Sequence, residues 1–258
     1  MEYGLIGEKL GHSYSKIIHE KLADYKYDLT PLTKEEFPLF MEKREFKAIN
    51  VTIPYKEKVL PYLDEMDNNA KQIGAVNTIV NTNGKLIGHN TDFSGFLYVI
   101  QNNGVEIKNK KVLVLGNGGA SKAVVAVLKF LKAKEIILAG RTLRENTITF
   151  AECYEKHFDG QVVVNATPVG MYPNVNESPI DLSKFTNCKA VLDLIYNPLK
   201  TKLLLQAEAL GMKAVNGLEM LVAQAKYAVE YFLGNEIEDV RIKEVTNEIY
   251  DFGVGKHR

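Results

Sequence analysis

Neither sign of charge predominates in this sequence of 258 residues, where 32 Lys and Arg meet 32 Asp and Glu. A chain without net charge has no whole-molecule field to draw nucleic acid or an anionic membrane surface, so no partner of either kind is expected. Cysteine is scarce: Cys153 and Cys188 stand in no metal-like spacing and have no histidine cluster beside them. That argues against a disulfide framework or a cysteine-bound metal and favours a reducing, cytoplasmic setting. Long hydrophobic runs are missing as well. No apolar stretch approaches the roughly 18 residues of a spanning helix, and the opening MEYGLIGEKL has neither a basic lead nor a small-residue cleavage site. Internal repeats and low-complexity linkers are absent too. The hydrophobic content, 46%, is that of a globular chain able to fill the core of one large domain or two small ones.

The pattern that remains is strand, helix, strand. Strand-like runs fall at 3–7, 27–32 and 48–53, with helical spacing over 15–25, 33–44 and about 56–64. NTIVNTNGKLIGHNTD (77–92) reads as a hairpin turning at Asn83-Gly84. A second unit starts at KKVLVLGNGGASKAVV, and the C-terminal run over 218–251 is helical in pattern, broken once at Gly234-Asn235. This alternation predicts an α/β fold with at least some parallel pairing.

The second unit carries the more specific signal. An apolar strand, Val112 to Leu115, is followed at once by Gly116, Gly118 and Gly119 and then by a helix. Glycines there permit a tight bend and let backbone N–H groups close on a pyrophosphate, which the positive helix end also favours. Ser121 stands where the third glycine of the dinucleotide fingerprint belongs, but the flanking βαβ pattern, continued by EIILAG, supports the reading. An NAD site carries an acid at the end of that second strand to hold the ribose diol. This chain has Gly140-Arg141-Thr142 and then Arg144, guanidiniums suited to a 2′-phosphate, and the expected cofactor is NADP.

A nicotinamide cofactor needs a carbonyl or carbinol partner and a group to handle its proton. NVTIPYK (50–56) offers Lys56, preceded by Pro54 as if at a helix start, and GHNTD (88–92) offers Asp92 at the close of the hairpin. Asn50, Thr52, Asn77 and Asn90 are polar residues at strand ends, where ligand crevices of open α/β sheets lie.

These segments carry a resemblance. GHSYS (11–15), NVTIPYK, GAVNT (74–78), GHNTD, GNGGA (116–120), NATPVGM (165–171) and EMLVAQA (219–225), in this order, closely resemble the shikimate dehydrogenase family. The resemblance spans nearly the whole chain. It implies NADP-dependent, reversible reduction of 3-dehydroshikimate to shikimate, on the way to chorismate and the aromatic amino acids. It implies an N-terminal α/β substrate domain, 1–92 completed by 218–258, and a Rossmann-like dinucleotide domain, 93–217, with the active site in the cleft between them. Ser13, Ser15 and Tyr196 would then bind the substrate carboxylate, and Thr52, Asn77, Asp92 and Gln224 the ring hydroxyls. Lys56 and Asp92 would be the proton-handling pair. Gly116, Asn117, Gly118, Gly119, Ala120, Arg141, Thr142, Arg144, Thr167, Met171 and Gly217 would hold the cofactor. No metal is implied, and the assembly would be a monomer or homodimer.

Three departures from the family pattern stand out. Lys16 follows Ser15 where proline is common, and Gly140 precedes Arg141 where asparagine is common. Between Thr142 and Asn165 there is room for one helix, about 146–158, so the third strand of the cofactor sheet is expected to be reduced or missing. Rival readings are a quinate or mixed dehydrogenase using NAD, and a non-catalytic relative that senses cofactor. The presence of both Lys56 and Asp92 argues against a mere sensor. His12, His89, His157, Tyr14, Tyr55 and Met220 are expected to be structural.

Overall fold

In the computed structural model, which describes residues 1–11, 13–141 and 146–251, the chain divides into two compact units. One holds Met1–Gly95 with Val222–Val245, and the other holds Phe96–Leu221 with the described residues from Thr246 on.

The first unit begins β1 (Tyr3–Gly7), α1 (Ser15–Leu22), β2 (Tyr27–Pro31), α2 (Glu36–Lys43), β3 (Ala48–Val51). It continues through β4 (Glu65–Met66), α3 (Asn68–Ile73), β5 (Thr78–Thr82), β6 (Lys85–His89) and the start of α4 (Thr91–Asn102). Among the described residues its strands form one sheet in the order β2-β1-β3-β5-β6-β4. β1 pairs in parallel with β2 and β3, while β5 runs antiparallel to β3 and β6. The antiparallel part follows from the hairpin turn: Asn83 (φ 54°) and Gly84 (φ 87°) both take the left-handed conformation that a two-residue turn demands. Side chains on one face gather Ile6, Phe37, Met41, Ile49, Tyr55, Ile79 and Leu86 into a core, with Phe37 stacked on Tyr55 at 4.2 Å and 8°. Leu5, Leu10, Tyr27 and Ala48 pack instead with Ala228 and Phe232, which lie on α8 (Leu218–Leu233).

The helix expected over 56–64 is not there. Its amphipathic spacing reflects a chain of turns closing in a short 3₁₀ helix, Leu60–Tyr62. Leu60, Tyr62 and Leu63 donate to Glu57, Val59 and Leu60, each three residues back, and Pro61 has no N–H to close an α turn. Pro54 accordingly does not open a helix; the Ile53–Pro54 bond is cis, in the turn after β3. Asp92 also differs from expectation, lying in the first turn of α4 and not in the hairpin.

The second unit continues through β7 (Lys111–Leu115), α5 (Gly119–Phe130), β8 (Glu135–Ala139), β9 (Thr147–Ile148), α6 (Phe150–Lys156), β10 (Val162–Asn165), β11 (Ala190–Asp193), α7 (Lys202–Ala209) and β12 (Lys213–Val215). α8 follows, and α9 (Val240–Asp251) ends the described chain. The second sheet is parallel throughout, in the order β12-β11-β10-β7-β8-β9. β7 and β10 are neighbours at the point where the order reverses, the doubly wound arrangement of a Rossmann-like fold. Its edge strand β9 is only two residues long, so the expected reduction of the third strand takes the form of a remnant, and the room left for a helix shrinks to α6. β7, β10 and β11 are buried along nearly their whole length, as strands covered on both faces must be.

Candidate active site

Lys56 and Asp92 meet. Lys56 Nζ lies 2.6 Å from Asp92 Oδ2, with the two side chains 20% and 13% exposed, so the pair is shielded yet open to a ligand. Each motif residue around it has a local reason for its place. Asn90 caps α4, accepting from Phe93 N at 3.3 Å, which puts Asp92 in the first helical turn, where the helix dipole favours a carboxylate. Thr91, fully buried, gives its N–H to Asn77 Oδ1 at 2.7 Å. Asn77 Nδ2 in turn donates to Asp92 Oδ1 at 3.0 Å. Lys56 is fixed from the other side, its carbonyl accepting from Val76 N at 2.8 Å. Three sequence segments thus converge on one ion pair through main-chain and side-chain bonds.

The remaining candidates of the first unit lie on other segments. Thr52 follows β3 with its N–H on Ile6 O at 2.9 Å. Ser13 and Ser15 form a local turn, Ser15 N donating to Ser13 Oγ at 3.3 Å, at the start of α1, whose first turn holds no acidic residue. Lys16, in place of proline, donates to Tyr27 O at 2.8 Å and Glu20 at 2.6 Å, so it fastens α1 to β2. Gln224 lies on α8, half-buried. His12 lies outside the described residues. His89 pairs with Asp67 at 2.8 Å and stacks on Tyr231 at 3.8 Å, and Tyr55 donates to Leu32 O at 2.7 Å from a fully buried position, the structural roles expected of both.

In the second unit, Gly116 bends the chain at φ 104°, where an added Cβ would sit 2.9 Å from the Ala166 carbonyl. Gly118 and Gly119 are different: a Cβ on either would meet nothing within 4 Å. Gly118 caps α5 without a side chain, and the helix has no acid in its first turn. The helix's positive end, free of acids beside uncrowded glycines, has the polarity that suits a phosphate. Ser121, 2% exposed, donates to Gly118 O at 2.7 Å and holds the turn where a third glycine was expected. Asn117 and Ala120 lie on the same turn, Asn117 half-buried and Ala120 exposed. Arg141 is exposed just past β8; Thr142 and Arg144 lie outside the described residues.

Across the switch point, Thr167 donates to Asn165 Oδ1 from its N–H (3.0 Å) and hydroxyl (2.7 Å). Asn165 Nδ2 donates to Asp193 Oδ1 at 3.0 Å, and Thr201 Oγ1 to Asp193 Oδ2 at 2.7 Å. Desolvation raises the Asp193 carboxyl to about 6 against the lowering effect of its hydrogen bonds to Thr201, Ile195 and Asn165. Met171 is exposed, Tyr196 half-buried, and Gly217 donates to Ile195 O at 2.9 Å just before α8. Of Asn165, Asp193 and Thr201, only Asn165 falls in a sequence motif, as the first residue of NATPVGM, and none is a candidate site residue from sequence alone. The signal was there: an acid inside the apolar strand AVLD must have partners.

A model described as shikimate dehydrogenase substrate binding domain matches residues 5–79. A shikimate dehydrogenase (NADP(+)) of Clostridium beijerinckii is 41% identical over 243 residues, covering 88% of this chain and 90% of the relative. The chain belongs to the shikimate dehydrogenase family. Among solved structures, a chorismate mutase/shikimate 5-dehydrogenase fusion protein from Clostridium acetobutylicum superposes with a TM-score of 0.92 at 38% identity, covering 97% of each chain. A family member from Thermus thermophilus, in complex with NADP(H) and shikimate, gives a TM-score of 0.86 at 30% identity over 96% of this chain and 99% of that one. Family members are oxidoreductases, and among the described residues no helix is long and apolar enough to cross a membrane.

Proposed function

We propose that this protein is an enzyme that reduces 3-dehydroshikimate to shikimate, reversibly and with NADP, and that Lys56 and Asp92 carry the proton chemistry. The observation behind this reading is the 2.6 Å Lys56–Asp92 pair, oriented by Asn77 in a half-shielded position. In reduction, the substrate's carbonyl oxygen gains a proton as hydride arrives at its carbon. Lys56 can both donate that proton and stabilise negative charge on the oxygen, while Asp92 holds the ammonium in place and accepts from a neighbouring hydroxyl. Thr52, Asn77 and Gln224 supply further partners for a polyol. Ser13 and Ser15, at a helix start free of acids, suit the carboxylate, for which the Tyr196 hydroxyl is a further candidate donor.

The nicotinamide cofactor supplies or accepts the hydride when bound. The open turn at Gly118 and Gly119 suits its pyrophosphate, which Gly116, Asn117, Ala120 and Thr167 would help to hold; Arg141, Thr142 and Arg144 would hold the 2′-phosphate, and Met171 and Gly217 the nicotinamide. On this reading residues 1–92 with 218–258 bind substrate and 93–217 bind cofactor. Two buried free cysteines, with thiols pushed up to about 11 by desolvation, accord with a cytoplasmic enzyme.

The test is to mix the purified protein with shikimate and NADP and follow the absorbance of reduced nicotinamide, repeating with NAD and with quinate. Turnover fastest with shikimate and NADP is expected. Faster turnover with quinate or NAD would favour the mixed dehydrogenase, and none with any pair would favour a cofactor sensor.

A further inference from the structure

Behind Asp92 a chain of buried polar groups crosses the sheet of the first unit. The Tyr27 hydroxyl on β2 donates to Asn50 Oδ1 on β3 at 2.7 Å. Asn50 Nδ2 donates to Asn77 O at 3.2 Å and to Thr78 Oγ1 at 3.0 Å. Thr78 Oγ1 donates to Asn77 Oδ1 at 3.0 Å and lies 3.2 Å from Thr91 Oγ1. Asn77 Nδ2 completes the path to Asp92. Tyr27 and Thr78 are fully buried, and Asn50 and Asn77 are 6% and 3% exposed. We propose that Tyr27 is a positioning residue for the Lys56–Asp92 pair, acting through Asn50, Thr78 and Asn77. The inference rests on the reading that this pair carries the chemistry.

The polarity of the chain gives the reason. The Asn50 amide must turn its NH₂ end toward the Asn77 carbonyl, which can only accept, and its oxygen then needs a donor, which Tyr27 supplies. With Asn50 so oriented, Thr78 receives a hydrogen bond from it and directs its own hydrogen onward. That hydrogen, together with the Thr91 N–H, occupies Asn77 Oδ1 and turns the Asn77 NH₂ toward Asp92. The chain carries orientation, not protons. Burial holds the Tyr27 phenol well above its ordinary range. It also lowers His19, stacked on Tyr27 at 4.0 Å and 19°, to about 3. Neither group changes charge near neutral pH.

The experiment compares Tyr27→Phe with Tyr25→Phe. The second removes a hydrogen bond of the same aromatic cluster, Tyr25 OH to His19 Nδ1 at 2.8 Å, but leaves the chain to Asp92 whole. Tyr27→Phe should lower kcat for shikimate oxidation about two- to tenfold, the equivalent of one hydrogen bond of ordinary net strength, with the KM for NADP unchanged. Tyr25→Phe should keep the wild-type kcat. Thr78→Val cuts the same chain one link closer and should lower kcat by itself, which keeps the proposal testable if Tyr27→Phe does not fold. In the Thr78→Val background, Tyr27→Phe should cost nothing more, since both act through one path. Equal losses in the two phenylalanine variants, or losses that multiply in the double variant, would overturn the proposal. A second readout needs no turnover: the Asn77 side-chain amide resonances should move in Tyr27→Phe and stay in Tyr25→Phe. If the wild type does not oxidise shikimate, the functional reading fails, and these resonances still decide whether Tyr27 orients Asn77; resonances unmoved by Tyr27→Phe would sink the proposal.

Discussion

Gly118→Ala separates what the glycine-rich turn does for the fold from what it does for a ligand. Gly118 sits at φ −87° and ψ −168°, extended backbone that alanine adopts without strain. Its new Cβ would meet no protein atom within 4 Å. The expected cost to stability is therefore that of a poorer helix cap, about 1 kcal/mol or less. If this turn holds a dinucleotide as proposed, the same methyl group would stand where the backbone must approach a phosphate. Losing one charge-assisted hydrogen bond, worth roughly 1.5–3 kcal/mol, corresponds to about 10- to 150-fold weaker binding. Titration of NADPH fluorescence against wild type and variant, beside urea unfolding of both, reads the two effects separately. Gly116→Ala is the contrast. At φ 104° and with Ala166 2.9 Å from the added carbon, it should destabilise the fold by roughly 1–3 kcal/mol or more from backbone strain alone. A Gly118→Ala variant that bound NADPH like wild type would refute the assignment of this turn to the pyrophosphate.

Two further outcomes are expected. Arg141→Ala should raise the KM for NADP and leave that for NAD nearly untouched, because only the 2′-phosphate contact is lost; equal losses in steady-state kinetics with both cofactors would assign Arg141 to folding. Asp193 has a folded-state pKa of about 6 against an ordinary 3.8, so between these values the folded chain holds a proton that the unfolded chain has lost. Its contribution to stability therefore falls as pH rises from about 4 to about 6, by roughly 3 kcal/mol. Asp193→Asn cannot ionise, so urea unfolding at pH 4 and pH 7.5 should show the wild type losing ground to the variant at the higher pH; parallel pH dependences would contradict the assignment.

Much of the architecture was legible in local pattern. β1 is the apolar run that its flanking residues delimit, and the hairpin follows from Asn83-Gly84, whose backbone angles only that turn type requires. The segment after Pro54 departs from the expected helix because apolar spacing alone does not separate an α helix from successive turns, and Pro61 breaks the helical ladder. β4 and β9, two residues each, are too short for any period to register. At the site, Asn77 is legible as a polar residue at a strand end, and Lys56 and Asp92 as the ammonium and carboxylate that two separate motifs offer. The buried links behind them were not, because Tyr27, Asn50 and Thr78 are joined across strands by hydrogen bonds that no spacing along the chain encodes. The same holds for Asn165, Asp193 and Thr201.

The most direct test of the central claim is the turnover of Lys56→Ala with shikimate and NADP. On the proposed mechanism, removing the ammonium takes away the proton-handling group while Asn77 still reaches Asp92 at 3.0 Å and the other candidate ligand residues are untouched. General acid–base assistance contributes about a hundred- to ten-thousandfold, so kcat should fall by a factor in that range with a smaller change in the KM for shikimate. A variant that kept kcat within a few-fold of wild type and lost only affinity would make Lys56 a binding residue and contradict the account.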